Sequence, residues 1–260
     1  MTGTQHKHVA LVTGAAGGIG AAVVRELAER GASVAAVDLA GERLRETVEK
    51  HIADGLRVRA FPADVSDAAA VARLVDEVER ELGPIDHLVN AAGVLRPCEA
   101  LELTEEDWQA TFAVNATGVF LVSREVVDRM AGRGRGAVVT VASNASGTPR
   151  TRMAAYAASK AAATMFTKCL GLEVAARGVR CNIVAPGSTD TPMLTSLWRD
   201  GSALAQTLEG DLGAYRVGIP LGRLAAPCDI AHAVGFLLSP EAAHITLQTL
   251  TVDGGAALGV

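Results

Sequence analysis

Cysteine is scarce and scattered in this chain of 260 residues: Cys98, Cys169, Cys181 and Cys228 include no close pair, and no histidine stands beside them at metal-ligand spacing. That argues against zinc and against a small disulfide scaffold, so the expectation is four reduced thiols and no metal. Positive charge is also in deficit, with 24 basic against 29 acidic residues and a formal net charge of -5. A nucleic-acid partner needs lysine and arginine gathered on one face, whereas here they are dispersed, which leaves a small molecule as the expected partner. No apolar run approaches the ~20 residues of a membrane span. The stretch Met1 to His8 is polar and lacks the apolar centre of a signal peptide. A soluble, cytoplasmic protein without a membrane partner is therefore expected. No Pro/Ser-rich linker interrupts the chain, which predicts one domain over residues 1–260.

What is present is a large apolar fraction, 49% against 20% charged, ample for a buried core. Seven short runs predict strands: His8 to Thr13, Ser33 to Asp38, Leu56 to Phe61, Ile85 to Asn90, Ala137 to Ala142, Val179 to Ala185 and Leu247 to Val252. Helical patterns lie between them, among them Gly18 to Arg30, Asp67 to Leu82, Glu105 to Met130 and Ala155 to Arg177. This βαβ rhythm predicts an α/β fold, a seven-stranded parallel sheet with helices on both faces. The strands lack polar alternation, as strands buried on two sides do. One stretch, Gly187 to Gly222, breaks the rhythm with Pro192, Pro220 and Trp198. It reads as a substrate lid around 188–217, with disorder the competing reading.

After the first strand comes Thr13-Gly14-Ala15-Ala16-Gly17-Gly18-Ile19-Gly20, leading into a helix. Glycines there permit a tight turn and close backbone approach, and the free amides and positive end of the helix receive a pyrophosphate. Gly14, Gly18, Ile19 and Gly20 are thus candidate cofactor residues. Asp38 follows at the end of the second strand, where a carboxylate accepts the ribose hydroxyls and repels a 2′-phosphate, which favours NAD. Arg43 and Arg45 follow closely and leave NADP as the alternative.

A second constellation is Tyr156 and Lys160, four residues apart, with Ser143 at a strand end upstream. Positions i and i+4 share a helix face, so the ammonium can sit beside the phenol. An ordinary tyrosine titrates near ~10, and a positive charge at roughly 4 to 6 Å lowers that by about 1 to 3 units. Taken alone, the pair is better read as a half-buried tyrosine and a solvated lysine on an amphipathic helix.

The ordered set Thr13-Gly14-x-x-x-Gly18-x-Gly20, Asn90-Ala91-Ala92-Gly93, Asn115, Ser143 and Tyr156-x-x-x-Lys160 resembles the short-chain dehydrogenase/reductase superfamily, a Rossmann fold, over the whole chain. The resemblance implies that Asp64 and Val65 contact adenine, that Asn90 sits beside the cofactor ribose, and that Thr189 and Thr191 hold the nicotinamide carboxamide. It implies hydride transfer between a carbinol carbon and NAD. Tyr156 would exchange the hydroxyl proton, Ser143 would hydrogen-bond the oxyanion, Lys160 would bind the ribose and lower the tyrosine pKa, and Asn115 would hold a relay water. Where many members carry a second asparagine, Ala91 stands here.

Stretches such as Thr148-Pro-Arg150 and Gly218-Ile-Pro-Leu-Gly222 are similar to members that oxidise a carboxylated cyclic diol, a cyclohexadiene dihydrodiol acid. A carboxylate calls for a guanidinium, with Arg150 the first candidate and Arg96 the second, each against the alternative of a solvated loop arginine. Met193 and Trp198 could cover the ring from the lid or simply pack. Alternatives are an amine in place of a ring hydroxyl, a 3-oxoacyl carrier-protein reductase, and a catalytically idle NAD-binding regulator. Family members commonly associate through the two long helices, which implies a homotetramer.

Overall fold

No residue of Val9–Thr13 is more than marginally exposed, which accounts for the absence of polar alternation in this first strand. In the computed structural model, which describes residues 8–198 and 202–259, it is β1, an interior strand of a seven-stranded sheet. The others are β2 (Ser33–Asp38), β3 (Val58–Pro62), β4 (Ile85–Asn90), β5 (Gly136–Val141), β6 (Val179–Pro186) and β7 (Thr249–Val252). All pairings are parallel, in the order β3-β2-β1-β4-β5-β6-β7.

Alternate residues of each strand serve two cores. Ala10 and Val12 join Val23 and Leu27 of α1 (Gly18–Glu29), Leu44 of α2 (Gly41–Ala53) and Val234 of α9 (Pro227–Leu238). Val9 and Leu11 join the opposite core, with Val75 of α3 (Ala68–Leu82), Val122 and Val126 of α5 (Val119–Arg133) and Val174 of α6 (Ala154–Val174). The sheet is thus covered on both faces, as expected. From β1 the chain runs outward to β3, then returns to place β4 on the other side of β1. This reversal opens a crevice at the carboxyl ends of the strands, where ligands of such sheets bind.

The differences from the sequence reading have local causes. Leu247 has a left-handed φ of 64°, so β7 begins only at Thr249. The helix expected from Glu105 is interrupted: α4 (Glu105–Phe112) passes through a π-helical stretch, Ala113–Gly118, before α5. The combined run Glu105–Arg133 is long and apolar enough to cross a membrane, contrary to the expectation that no such run exists. Half of its most apolar window is buried within the molecule, and Leu121, Val126, Val127 and Met130 belong to the second core, as befits a core helix. The stretch expected to form a lid carries two short helices, α7 (Pro192–Thr195) and α8 (Ala203–Glu209), with its residues 199–201 outside those described.

Candidate active site

The glycine turn sits at the mouth of the crevice because three strands hold it. Thr13 Oγ1 accepts hydrogen bonds from the amides of Ala91 and Ala92, both at 3.1 Å, tying the β1 turn to the loop after β4. The Ala15 amide donates to the carbonyl of Val37 at 3.0 Å. Close approach then demands glycine: a Cβ at Gly14, where φ is 70°, would lie 2.7 Å from the Ala91 carbonyl oxygen, and one at Gly20 would collide with the carbonyl of Gly14. No side chain caps the N-terminus of α1, which leaves its first amides to other acceptors.

A cavity of about 1100 Å³ runs from this turn. Gly14, Gly18, Ile19, Gly20, Asp38, Asp64 and Val65 line one part of it, and Ser143, Arg150, Tyr156, Lys160, Thr189, Thr191 and Met193 another. The Asp38 carboxylate is fixed by two amides, Oδ2 accepting from Ala16 and Oδ1 from Ala40, each at 3.0 Å. Arg43 reaches the same turn, its Nε donating to the Ala16 carbonyl at 2.9 Å. Asp64 Oδ1 accepts from the Ser66 amide and hydroxyl at 2.8 and 2.6 Å.

At the other end, Ser143 terminates the β5 segment and Tyr156 opens α6, and their side chains hydrogen-bond. One turn on, Lys160 is buried, donates to the Val141 carbonyl at 2.9 Å, and lies with Nζ 5.9 Å from the centre of the Tyr156 ring. Burial pulls the lysine down to about 8. Burial also raises the phenol above its ordinary value, opposed by the hydrogen bond with Ser143. The sequence had suggested the reverse for Tyr156. Desolvation outweighs the bond to Ser143 here.

Three expected residues stand elsewhere. Asn90 does not line the cavity: its Nδ2 donates to Ser123 Oγ at 2.9 Å in the interior, and Ala91, Ala92 and Gly93 form the wall instead. Arg96 points to the surface, where it pairs with Asp107 at 2.7 Å, the nearer carboxylate having claimed it. Asn115 is buried just behind the wall in the π stretch, its Oδ1 accepting from the Val94 amide at 2.8 Å and its Nδ2 donating to Val94 and Ser159 at 2.9 and 3.0 Å. Trp198 is half-buried and off the wall. One wall residue went unread in the sequence: Arg216 carries no local pattern. Behind the wall, Asp253 anchors Asn144 at 3.1 Å across 109 residues.

A model of the short chain dehydrogenase family matches residues 8–201. The chain belongs to that family. Among similar short-chain dehydrogenases, the 2,3-dihydro-2,3-dihydroxybenzoate dehydrogenase of Bacillus subtilis (strain 168) is 57% identical, covering 97% of both chains. The enzyme of the same name from Escherichia coli (strain K12) is 44% identical over 95% of this chain and 96% of its own. A solved actinorhodin polyketide ketoreductase with NADPH superposes with a TM-score of 0.89, at 34% identity and 98% coverage of each. Short-chain dehydrogenases use a nicotinamide cofactor. The cavity fits one: uncapped helix amides and side-chain-free glycines stand where phosphates need them, Asp38 stands at one end, and the buried lysine at the other.

Proposed function

We propose that the protein oxidises 2,3-dihydro-2,3-dihydroxybenzoate to 2,3-dihydroxybenzoate with NAD, in siderophore or related secondary metabolism. One observation carries the reading: the Ser143, Tyr156 and Lys160 cluster shares its cavity with Arg150, a half-buried guanidinium that no carboxylate among the described residues pairs with. A carboxylated substrate supplies the missing partner. The relatives of that name, at 57% and 44% identity, support it.

Gly14, Gly18, Ile19 and Gly20 bind the pyrophosphate, Asp38 the adenosine ribose, Asp64 and Val65 the adenine, and Thr189 and Thr191 the carboxamide. When bound, NAD accepts the hydride from the ring carbinol carbon. Tyr156 takes the hydroxyl proton and Ser143 hydrogen-bonds the same oxygen, so alcohol becomes ketone with one hydride and one proton removed. The ketone is a cyclohexadienone, whose tautomerisation to the catechol draws the reaction forward. Lys160, lowered to about 8, is mostly protonated at neutrality, and its ammonium beside the phenol opposes the rise that burial imposes on Tyr156 without overcoming it. Asn115 has its side chain fully engaged, which leaves its main chain for the relay water. The described residues of the stretch 188–217 form the lid, within a single domain. NADP is the second reading, favoured by Arg43 on the cavity wall.

Absorbance at the NADH wavelength tests this scheme with the dihydrodiol acid, NAD against NADP, and wild type against Tyr156→Phe. Rapid reduction of NAD is expected, with Tyr156→Phe slower by about 10²- to 10⁴-fold, the usual worth of a positioned acid or base. Full turnover by Tyr156→Phe, or a preference for the 2-amino analogue of the acid or for NADP, would overturn the corresponding part.

A further inference from the structure

Beyond the catalytic cluster, Arg43, Arg150 and Arg152 share the cavity wall with a further arginine. Arg216 lines the cavity together with Arg150, Ala214, Gly218 and Ala256. Its backbone is pinned: the Arg216 and Asp211 amides each donate to the other residue's carbonyl at 2.9 Å, and the Ile219 amide donates to Leu208 at 2.8 Å. Gly210 and Gly218 allow the two sides of this turn to touch, because a Cβ on Gly210 would lie 2.9 Å from the Gly218 nitrogen. Arg216 is therefore presented by a fixed turn.

The charge balance around it is unmet. Neither Arg150 nor Arg216 forms an ion pair with a described residue. The acidic group whose charge reaches Arg150 is Asp253, and both its oxygens are engaged. Oδ1 accepts from the Gly255 amide at 2.9 Å, and Oδ2 accepts from Ala257 at 2.8 Å and Asn144 at 3.1 Å. Arg150 spends one nitrogen on the Ala256 carbonyl at 3.4 Å, leaving most of its donors. Two cations thus face one committed anion in a partly dry cavity, and the charge of Arg216 lowers the pKa of Arg150 after the larger effect of burial. An anionic ligand is what such a site lacks.

We propose that Arg216, presented by the lid turn, is a second binding residue for the substrate carboxylate and sets the preference for an acid over an uncharged diol. This rests on the dihydrodiol acid reading above. The test compares wild type, Arg216→Ala and Arg216→Lys by direct titration of the enzyme–NAD complex with 2,3-dihydroxybenzoate and with catechol, which lacks the carboxylate. The KM for the dihydrodiol acid is measured alongside. In Arg216→Ala the acid-over-catechol preference is expected to fall about 10- to 100-fold, as loss of a hydrogen bond to a charged group implies, with the KM rising in step. Arg216→Lys should recover part of it, which a merely structural role would not predict. A preference in Arg216→Ala within twofold of wild type would overturn the proposal while leaving the function intact. A wild type that neither oxidises the acid nor binds 2,3-dihydroxybenzoate would overturn both.

Discussion

At Lys160 and His87 the same force acts on different chemistry. Both are bases deprived of water, and burial lowers both, to about 8 and about 4. In Lys160 the shift serves a reaction; in His87, stacked on His8 with ring centres 4.9 Å apart, it serves none and leaves an acid-labile point in β4. The free imidazole titrates near ~6.5, so between that pH and about 4 the unfolded chain binds more protons than the folded one. Stability contributed by His87 is therefore complete above that window, falls as pH falls through it, and is lost by about 4. The loss is on the order of 3 kcal/mol. Urea midpoints measured from pH 4 to 7 should fall less steeply for His87→Phe than for wild type, and parallel curves would contradict this. What short backbone motifs made legible was position: Gly14, Asp38, Ser143, Tyr156 and Lys160 all line the cavity. The pairing of Arg96 with its surface partner Asp107 was not legible, because the two stand eleven residues apart on different segments. The turn of the Asn90 side chain to Ser123 rather than outward was likewise not legible.

Helix α1 meets its turn through one atom's width, and this contact makes the glycine motif more than a flexible hinge. A methyl on Gly20 has nowhere to go but into the Gly14 carbonyl, so α1 must back away and carry its uncapped amides with it. Gly20→Ala is expected to raise the dissociation constant for NADH by more than tenfold while far-UV circular dichroism stays close to wild type. Unchanged NADH fluorescence titrations would show that the turn absorbs the methyl elsewhere. The π stretch Ala113–Gly118 is the counterpart case: it brings Asn115 within reach of Val94 and Ser159. No periodicity announced it, because one extra residue in a turn leaves an amphipathic pattern almost intact. Helix α6 buries small residues, Ala163, Thr167 and Gly171, and a Cβ at Gly171 would lie 2.9 Å from that of Cys181. So close an approach to β6 is what sinks Lys160 into the interior.

Across the whole molecule, α5 and α6 keep large apolar side chains on their outer faces, beside the charged Arg124 and Asp128 of α5. Phe120, Met165 and Leu172 are exposed, the last at 70%, and Phe120 meets Phe166 edge-on at 5.7 Å. These faces support the inference of a homotetramer built on the two long helices. Light scattering should report about four times the 26.7 kDa chain mass, and a monomer would refute it. The strand runs, the glycine turn and the order of the motifs were set by the sequence alone, because backbone burial and phosphate approach restrict which residues each position tolerates. Tertiary structure decided what depends on distant partners: that burial raises Tyr156 rather than Lys160 lowering it, that Arg96 leaves the cavity, and that Arg216 and Asp253 join Arg150 from segments far along the chain. Desolvation and charge pairing are properties of assembled space, and no local pattern of residues encodes them.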